Sequence, residues 1–264
     1  MTIAITGAAG QVSTLIRPLL RVPDRVLRLS DISVVSDLAA GEEFVQASVT
    51  DLDAMTSFFE GADLVVHLGG HKSERPWRDI LETNINGSHV VLEAARRAGV
   101  QRVLLGSSIH AVGFVRAADA AAAPVLPPRP DTYYGVGKVA MEALGSLYAD
   151  RFGMSVVSAR ICTVGADIGT GGRTLSTWVS PGDLARLVEA TAALDHPGHH
   201  IVWGVSANTR TWFSPEAGLA IGFKAHDNAE HHITPTTDVQ PPNPTDLLAG
   251  AFTGDPTRPL GGTW

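Results

Sequence analysis

The sequence has few of the features that mark secreted, membrane-spanning or disulfide-bonded proteins. It contains one cysteine in 264 residues, so an intramolecular disulfide is excluded, and Cys162 has no second cysteine with which to form a redox or metal motif. Its apolar runs, such as residues 64–68, are far too short to cross a bilayer. The N-terminus enters a strand pattern at once, without the charged start of a signal peptide. We therefore expect a cytoplasmic protein.

Positive charge is also scarce. The chain has 20 Lys and Arg against 27 Asp and Glu, which gives a formal net charge of -7, and it has no run of basic residues. Such a chain does not attract nucleic acid or an anionic membrane, so a small molecule is the expected partner. The adjacent histidines at 199–200 and 231–232 lack the i, i+4 spacing of a helical metal pair. We expect no bound metal.

Strand and helix patterns alternate along the first 160 residues. This alternation is typical of an α/β fold with a doubly wound parallel sheet, the Rossmann type, covered by helices on both faces. We expect one domain, with residues 161–264 forming a smaller C-terminal elaboration that ends in a proline-rich tail. The predicted strands are residues 2–6, 26–29, 64–67, 102–107 and 155–161, and the predicted helices are residues 11–20, 52–59, 80–98 and 133–152.

A glycine-rich turn, TGAAGQV at positions 6–12, joins the first strand to the first helix. Gly7 and Gly10 permit a tight turn that lets the backbone approach a pyrophosphate. Gln11 and Val12 begin a helix whose N-terminus favours an anion. The second strand ends at Asp31, about twenty residues later, where a carboxylate accepts hydrogen bonds from ribose hydroxyls and repels a 2'-phosphate. The pattern predicts a site for NAD rather than NADP, within a cofactor-binding core of about residues 1–160.

A second motif lies in the long helix predicted at residues 133–152. Tyr134 and Lys138 are four residues apart, so their side chains share one helix face. A phenol with an ordinary pKa of about 10 is a weak base at neutral pH, but a nearby ammonium group favours its ionised form. Ser108 ends the strand before this helix, and we assign it to holding the reacting oxygen. The three residues predict proton transfer at the carboxyl edge of the sheet.

Several stretches resemble the extended short-chain dehydrogenase/reductase superfamily and, within it, the bacterial uronate dehydrogenases. The superfamily carries the glycine loop and the YxxxK motif in this order, and the closer resemblance covers nearly the whole chain. It assigns Leu68 and Gly69 to the cofactor site. The stretches are TGAAGQ at 6–11, HLGG at 67–70, SSIH at 107–110, YGVGK at 134–138, LSTW at 175–178, VWGVSAN at 202–208 and DNAE at 227–230.

The resemblance implies an NAD-dependent oxidation of C1 of a cyclic hexuronic acid, of the galacturonate or glucuronate type, to an aldarolactone. Tyr134 would take the proton of the C1 hydroxyl, and Lys138 would also bind the nicotinamide ribose. Ser108 would orient the C1 oxygen, and Asn84 would support the catalytic lysine. The resemblance further implies a dimer or larger homo-oligomer.

The resemblance also assigns residues to the substrate. Arg173 would bind the uronate carboxylate, since a guanidinium can engage a carboxylate through two parallel hydrogen bonds. His110 and Thr163 would contact the sugar. Ile109 stands where these enzymes usually carry Asn, and Lys72 stands where a substrate-contacting Ser is expected. Loss of an amide hydrogen bond costs about 1 to 3 kcal/mol, so these two departures bear on which substrate fits.

Two other functions are compatible with the same motifs. A nucleotide-sugar epimerase or dehydratase, or a reductase of another carbonyl, would carry the same Ser, Tyr and Lys, although epimerases usually have a larger C-terminal region. A protein that only binds the dinucleotide is the second alternative. It would have no reason to keep Ser108, Tyr134 and Lys138 together, and fold alone does not decide the substrate.

Overall fold

A computed structural model describes residues 1–123, 125–165, 168, 172–233, 243, 246–255 and 257–264. Its strands are β1 Thr2–Thr6, β2 Val26–Asp31, β3 Glu42–Gln46, β4 Leu64–His67, β5 Arg102–Ser108, β6 Ser155–Ile161, β7 Thr163–Val164, β8 Trp178–Val179 and β9 Gly198–Gly204. One parallel sheet has the order β3-β2-β1-β4-β5-β6-β9, and β7 pairs separately with β8. The Rossmann-type parallel sheet predicted from the sequence is confirmed.

Helices pack on both faces of this sheet. They are α1 Gln11–Leu20, α2 Leu52–Phe59, α3 Trp77–Asp79, α4 Gly87–Arg97, α5 Ala117–Ala120, α6 Tyr133–Phe152, α7 Gly172–Thr177, α8 Pro181–Ala192 and α9 Glu216–Ala220, and a π-helical segment, Ile80–Asn86, joins α3 to α4. Ile3 and Ile5 of β1 pack with α1 and α8, whereas Ala4 faces α2, α4 and α6. Alternate residues of a strand point to opposite faces, so the sheet lies between two apolar cores.

The strand order sets the place of the ligand site. From β1 the chain builds outward through β2 to β3, then returns to place β4 on the other side of β1. In open parallel sheets ligands bind beyond the carboxyl ends of the strands at such a switch point. The crevice therefore lies next to Thr6 and His67, whose side chains are joined by a 2.8 Å contact between Thr6 Oγ1 and His67 Nδ1.

Local sequence explains the ends of the long helix α6. Thr132 is its N-cap, and the Thr132 side chain accepts a hydrogen bond from the Gly135 amide. Gly153 follows the last turn in the left-handed conformation, with φ of +69°, which glycine adopts without strain. The helix predicted at residues 133–152 has these bounds, as do those predicted at 11–20 and 52–59.

Other elements differ from the sequence predictions. The helix predicted at 80–98 begins earlier, at Trp77, and includes the π-helical segment. β3, α8 and β9 were not predicted, although Ser180, Pro181 and Asp183 form a good helix start. β9 completes the sheet beside β6 from the C-terminal part of the chain. The first part of the predicted proline-rich tail, residues 234–242, lies outside the described residues. No helix in the described part of the chain is long and apolar enough to cross a membrane.

Candidate active site

The glycine loop touches the end of β4. Gly7 has φ of +72°, and a Cβ atom on it would lie 2.6 Å from the backbone nitrogen of Gly69, so only glycine fits there. Gly10 is the N-cap of α1 and has no side chain with which to cover the first-turn N–H groups. Gln11 and Val12 line the adjoining cavity. The loop thus leaves a helix N-terminus open to an anion, as a bound pyrophosphate requires.

The end of β2 suits an unphosphorylated ribose. Asp31 Oδ2 accepts a hydrogen bond from the Ala9 amide at 3.0 Å, which places the carboxylate beside the glycine loop. Arg28 is the nearest basic residue on β2, and its Nη1 donates to the carbonyls of Phe58 and Glu60 at 3.0 and 2.7 Å. Because Arg28 is held at the end of α2, it does not neutralise Asp31. These residues fit NAD better than NADP.

Ser108, Tyr134 and Lys138 come together at the carboxyl end of β5. Lys138 Nζ donates to the carbonyl of Gly106 at 2.6 Å and lies 5.4 Å from the Tyr134 ring centre. Burial raises the pKa of Tyr134 to about 12, while its hydrogen bond with Ser108 acts in the opposite direction. Burial also lowers the pKa of Lys138 to about 8, against the negative charge of Glu142. The phenol therefore needs further positive charge before it can ionise near neutral pH.

Asn84 lies in the π-helical segment beside α6. Its Oδ1 accepts from the His71 amide and its Nδ2 donates to the His71 carbonyl, both at 2.9 Å. A Cβ atom on Gly137 would lie 3.3 Å from Asn84 Cβ, so Asn84 packs next to the residue that precedes Lys138. In the described contacts Asn84 holds the loop after β4 and the helix that carries Lys138, and it does not touch the ammonium group.

A cavity of about 470 Å³ lies between these elements. Asp31, Gly69 and Asn84 support its surroundings and do not line it. Among the site residues predicted from the sequence, the cavity is lined by Gly7, Gly10, Gln11, Val12, Leu68, Lys72, Ser108, Ile109, His110, Tyr134, Lys138, Thr163 and Arg173.

Arg173 is held by neutral partners at one side of this cavity. Its Nε and Nη2 donate to the Leu248 carbonyl at 3.0 and 2.6 Å, and its Nη1 lies 3.5 Å from Thr163 Oγ1. Burial lowers the pKa of Arg173. The negative charges of Asp131 and Asp246 act to raise this pKa, but neither carboxylate forms a hydrogen bond with the guanidinium in the described contacts. A guanidinium has five N–H groups. In the described contacts, one N–H on each terminal nitrogen is left for a ligand.

The other residues predicted to contact the substrate include both polar and apolar side chains. His110 Nδ1 lies 2.6 Å from Asp131 Oδ2, and its ring lies 4.2 Å from the ring of Phe252. Ile109 is 3% exposed and packs in an apolar cluster with Trp203. Ile109 thus supplies an apolar surface where an amide would have supplied hydrogen bonds.

Sequence reasoning missed several side chains of the cavity wall, among them His71, Cys162 and Phe252. His71 and Phe252 were not singled out, because His71 lies in a loop after β4 and Phe252 lies in the irregular C-terminal part. Cys162 was interpreted only as a small buried residue, yet it lines the cavity; burial raises its pKa to about 12, which keeps it a thiol. In the described part of the chain, no three His, Cys, Asp or Glu residues are grouped so that they could hold a metal ion.

A glycine loop at the switch point, an acidic residue after β2 and a buried Ser, Tyr and Lys define a Rossmann-type, NAD-dependent enzyme. Residues 3–214 match the NAD dependent epimerase/dehydratase family, and the chain belongs to that family. The match indicates an NAD-dependent enzyme rather than a protein that only binds the dinucleotide.

Relatives in this family match nearly the whole chain. A uronate dehydrogenase from Agrobacterium fabrum is 38% identical over 261 residues, which is 96% of each chain. A crystal structure of a mutant uronate dehydrogenase from Agrobacterium tumefaciens, complexed with NAD, is 36% identical with a TM-score of 0.86 and covers 97% of both chains. An L-arabinose 1-dehydrogenase (NAD(P)(+)) from Haloferax volcanii is 35% identical over 256 residues, 86% of this chain and 97% of that one. The resemblance to uronate dehydrogenases is confirmed.

Proposed function

We propose that this chain oxidises a hexuronic acid at C1 to the aldarolactone with NAD. The ring form of the sugar carries a hydroxyl and a hydrogen on C1. The hydroxyl proton passes to Tyr134, and NAD, when bound, accepts the hydride; the products are the lactone, NADH and a proton. The observation that carries this proposal is the position of Arg173 in the same cavity as Tyr134.

Arg173 supplies the specificity for an acid. In the described contacts, Nη1 and Nη2 of Arg173 each keep one N–H group that is not bonded to the protein. Two N–H groups on different terminal nitrogens can bind both oxygens of a carboxylate. The Leu248 carbonyl holds the other side of the guanidinium, so little side-chain entropy remains to be lost on binding. A neutral sugar would leave this half-buried cation without a negatively charged partner.

Three side chains act on the C1 oxygen. Ser108, already hydrogen-bonded to the phenol, holds the hydroxyl against Tyr134. Lys138, 5.4 Å from the Tyr134 ring centre, supplies a positive charge that favours the phenolate over the phenol. Asn84 acts at a distance by holding the helix segment next to Lys138.

The rest of the site binds the cofactor and the sugar. Leu68 and Gly69 lie between the glycine loop and β5, where they contact the cofactor. Asp31 binds the adenosine ribose. Lys72, Ile109, His110 and Thr163 contact the sugar ring. We further propose that about residues 1–160 form the NAD-binding core and that 161–264 consist mostly of substrate-pocket elements and the tail.

The proposed location rests on the short apolar runs of the sequence, and the proposed assembly rests on the family resemblance. We propose a cytoplasmic homo-oligomer. Cell fractionation and light scattering of the purified protein test the two statements independently.

Two observations favour a second substrate class, the neutral aldoses. Ile109 makes part of the wall apolar, and a relative of similar identity is an L-arabinose 1-dehydrogenase. A neutral aldose would undergo the same C1 oxidation with the same Ser108, Tyr134 and Lys138. Arg173 discriminates between the two classes, because only an acid uses its remaining donors.

The test is NADH formation with a panel of galacturonate, glucuronate, the matching hexoses, L-arabinose and simple secondary alcohols. We expect turnover of uronates, with Tyr134→Phe binding NAD normally and losing turnover. Faster turnover of neutral sugars than of uronates would assign the enzyme to the second class. Turnover of simple alcohols alone would overturn both assignments.

A further inference from the structure

Glu74 is a fully buried carboxylate that the reaction as described does not use. It is 0% exposed. Its Oε2 accepts from the Tyr134 amide at 2.8 Å, and its Oε1 accepts from the amides of Tyr133 and Gly261 at 3.2 and 2.8 Å. A buried carboxylate is tolerated only where such donors surround it. The Glu74 side chain thus joins the start of α6 to Gly261, which lies more than a hundred residues further along the chain.

Two of these amides begin the catalytic helix. Tyr133 and Tyr134 are the first residues of α6, where N–H groups have no partner within the helix and the helix dipole favours a negative charge. The bond to the Tyr134 amide ties the backbone of the reacting residue to Glu74. A shift of Glu74 would therefore move the Tyr134 phenol relative to Ser108.

The third amide belongs to residues 257–264, which we call the C-terminal segment. Gly261 has φ of +76°, and a Cβ atom on it would lie 3.2 Å from Cε2 of Tyr133, so this segment packs directly on the start of α6. Next to Glu74, Ser73 Oγ donates to the Trp264 carbonyl. The segment is therefore attached at two neighbouring points, Gly261 and Trp264.

The attachment continues into the substrate wall. The ring of Trp264 lies 4.7 Å from that of Phe252, and Phe252 in turn lies 4.2 Å from the ring of His110. Arg258 lies over both Phe252 and Trp264, at 5.3 and 5.4 Å from their ring centres. Displacing the C-terminal segment would therefore loosen the wall formed by Phe252 and His110.

We infer that Glu74 is a positioning residue that sets the Tyr134 phenol and the Phe252 wall together. This inference rests on the proposed function only in that a uronate is used as the substrate of the assays. Both carboxylate oxygens are needed, because one serves Tyr134 and the other serves Gly261. A glutamine has the same shape but only one acceptor oxygen, so its amide group would face an N–H donor.

The first variant is Glu74→Gln, assayed as purified full-length protein with NAD and a uronate. We expect kcat to fall about tenfold or more and KM for the uronate to rise, because one buried donor loses its acceptor. The Kd for NAD should stay within about twofold of the wild-type value, since Asp31 and the glycine loop are untouched.

Asp183→Asn is the matched control. Asp183 is also 0% exposed, and it does not line the cavity. It accepts the backbone amides of His226 and Asp227 at 2.8 and 3.0 Å, and its Oδ1 also accepts from Arg186 Nη1 at 2.6 Å. It tests the same loss of a buried carboxylate elsewhere in the fold. We expect it to lower thermal stability while kcat and KM remain at wild-type values.

Two further variants separate the two effects of Glu74. Ser73→Ala removes the contact with Trp264, and Gly261→Ala strains the C-terminal segment, while both leave the bond to the Tyr134 amide in place. We expect them to raise KM for the uronate with kcat nearly unchanged. Only Glu74→Gln should change both parameters.

Hydrogen exchange provides a readout that needs no substrate. We expect Glu74→Gln to speed exchange at the amides of Tyr133, Tyr134 and Gly261, and Asp183→Asn to leave these amides unaffected. Failure of the wild type to oxidise any uronate would overturn the proposed function, and exchange would still decide the role of Glu74.

Three results would overturn the inference. The first is kcat/KM within twofold of wild type in Glu74→Gln. The second is a fall in kcat, a rise in KM and weaker NAD binding in Glu74→Gln, with the same three changes in Asp183→Asn. The third applies if Glu74→Gln does not fold. In that case the inference fails if Ser73→Ala and Gly261→Ala change neither the KM for the uronate nor hydrogen exchange in the C-terminal segment.

Discussion

Replacement of Arg173 by alanine is expected to remove the preference for an acid over the matching neutral sugar. In the described contacts, Arg173 keeps one N–H on each terminal nitrogen for the substrate. A hydrogen bond to a charged group contributes about 1.5 to 3 kcal/mol. Two such bonds at a partly solvated site give about 3 to 4 kcal/mol, a change of about 10² to 10³ in relative specificity.

The assay is the ratio of kcat/KM for glucuronate to kcat/KM for glucose, measured in the same buffer for each variant. The ratio is needed because Arg173 also anchors the Leu248 carbonyl, so its removal disturbs the pocket for both sugars. Arg173→Lys serves as the control that keeps the charge and loses the planar pair of donors. We expect Arg173→Lys to give an intermediate ratio.

An unchanged ratio in Arg173→Ala would refute this reasoning, even if both activities fell. Arg173 would then act only as a support of Leu248, and the carboxylate would bind elsewhere in the cavity. Lys72, which lines the cavity together with Arg173 and the catalytic Lys138, would be the next residue to replace.

Glu142→Ala is expected to lower the free energy of unfolding by about 3 to 5 kcal/mol in denaturant titrations, because Arg160, 1% exposed, loses its buried ion-pair partner. Burial raises the pKa of Glu42, but hydrogen bonds led by that from Arg17 bring it down to about 2, from 4.5. This depressed pKa corresponds to about 3 kcal/mol of stability that is present above about pH 4.5 and lost as the pH falls toward 2. The difference in stability between wild type and Glu42→Gln should shrink over that range. Asp31→Ala should raise KM for NAD more than KM for NADP in steady-state assays, because it removes both a ribose acceptor and a repulsive charge.

Each of these expectations has a clear contrary result. A loss of less than about 1 kcal/mol in Glu142→Ala would mean that water satisfies Arg160. A pH-independent difference between wild type and Glu42→Gln would place the pKa of Glu42 near its ordinary value. Equal changes in KM for the two cofactors in Asp31→Ala would remove Asp31 from cofactor selection.

Local sequence determined the parts of this protein that depend on near neighbours. The ends of α6 follow from Thr132 and Gly153, and the shared face of Tyr134 and Lys138 follows from helical spacing. Gly7 and Gly10 mark the loop between β1 and α1 because glycine relieves a steric conflict that any other side chain would meet.

The tertiary structure decided the contacts that join distant segments. Glu74 and Gly261 are 187 residues apart, Arg173 takes its orientation from Leu248, and Phe252 meets His110 across the cavity. No periodicity marks these contacts, because apart from Arg173, in the short helix α7, the residues lie in loops and irregular segments whose conformation follows from packing. The sequence alone thus determined five strands of the sheet, the helices next to them and the proton-transfer pair, but not β3, β9 or α8. The wall that selects the substrate exists only once the folded sheet brings its separate parts together.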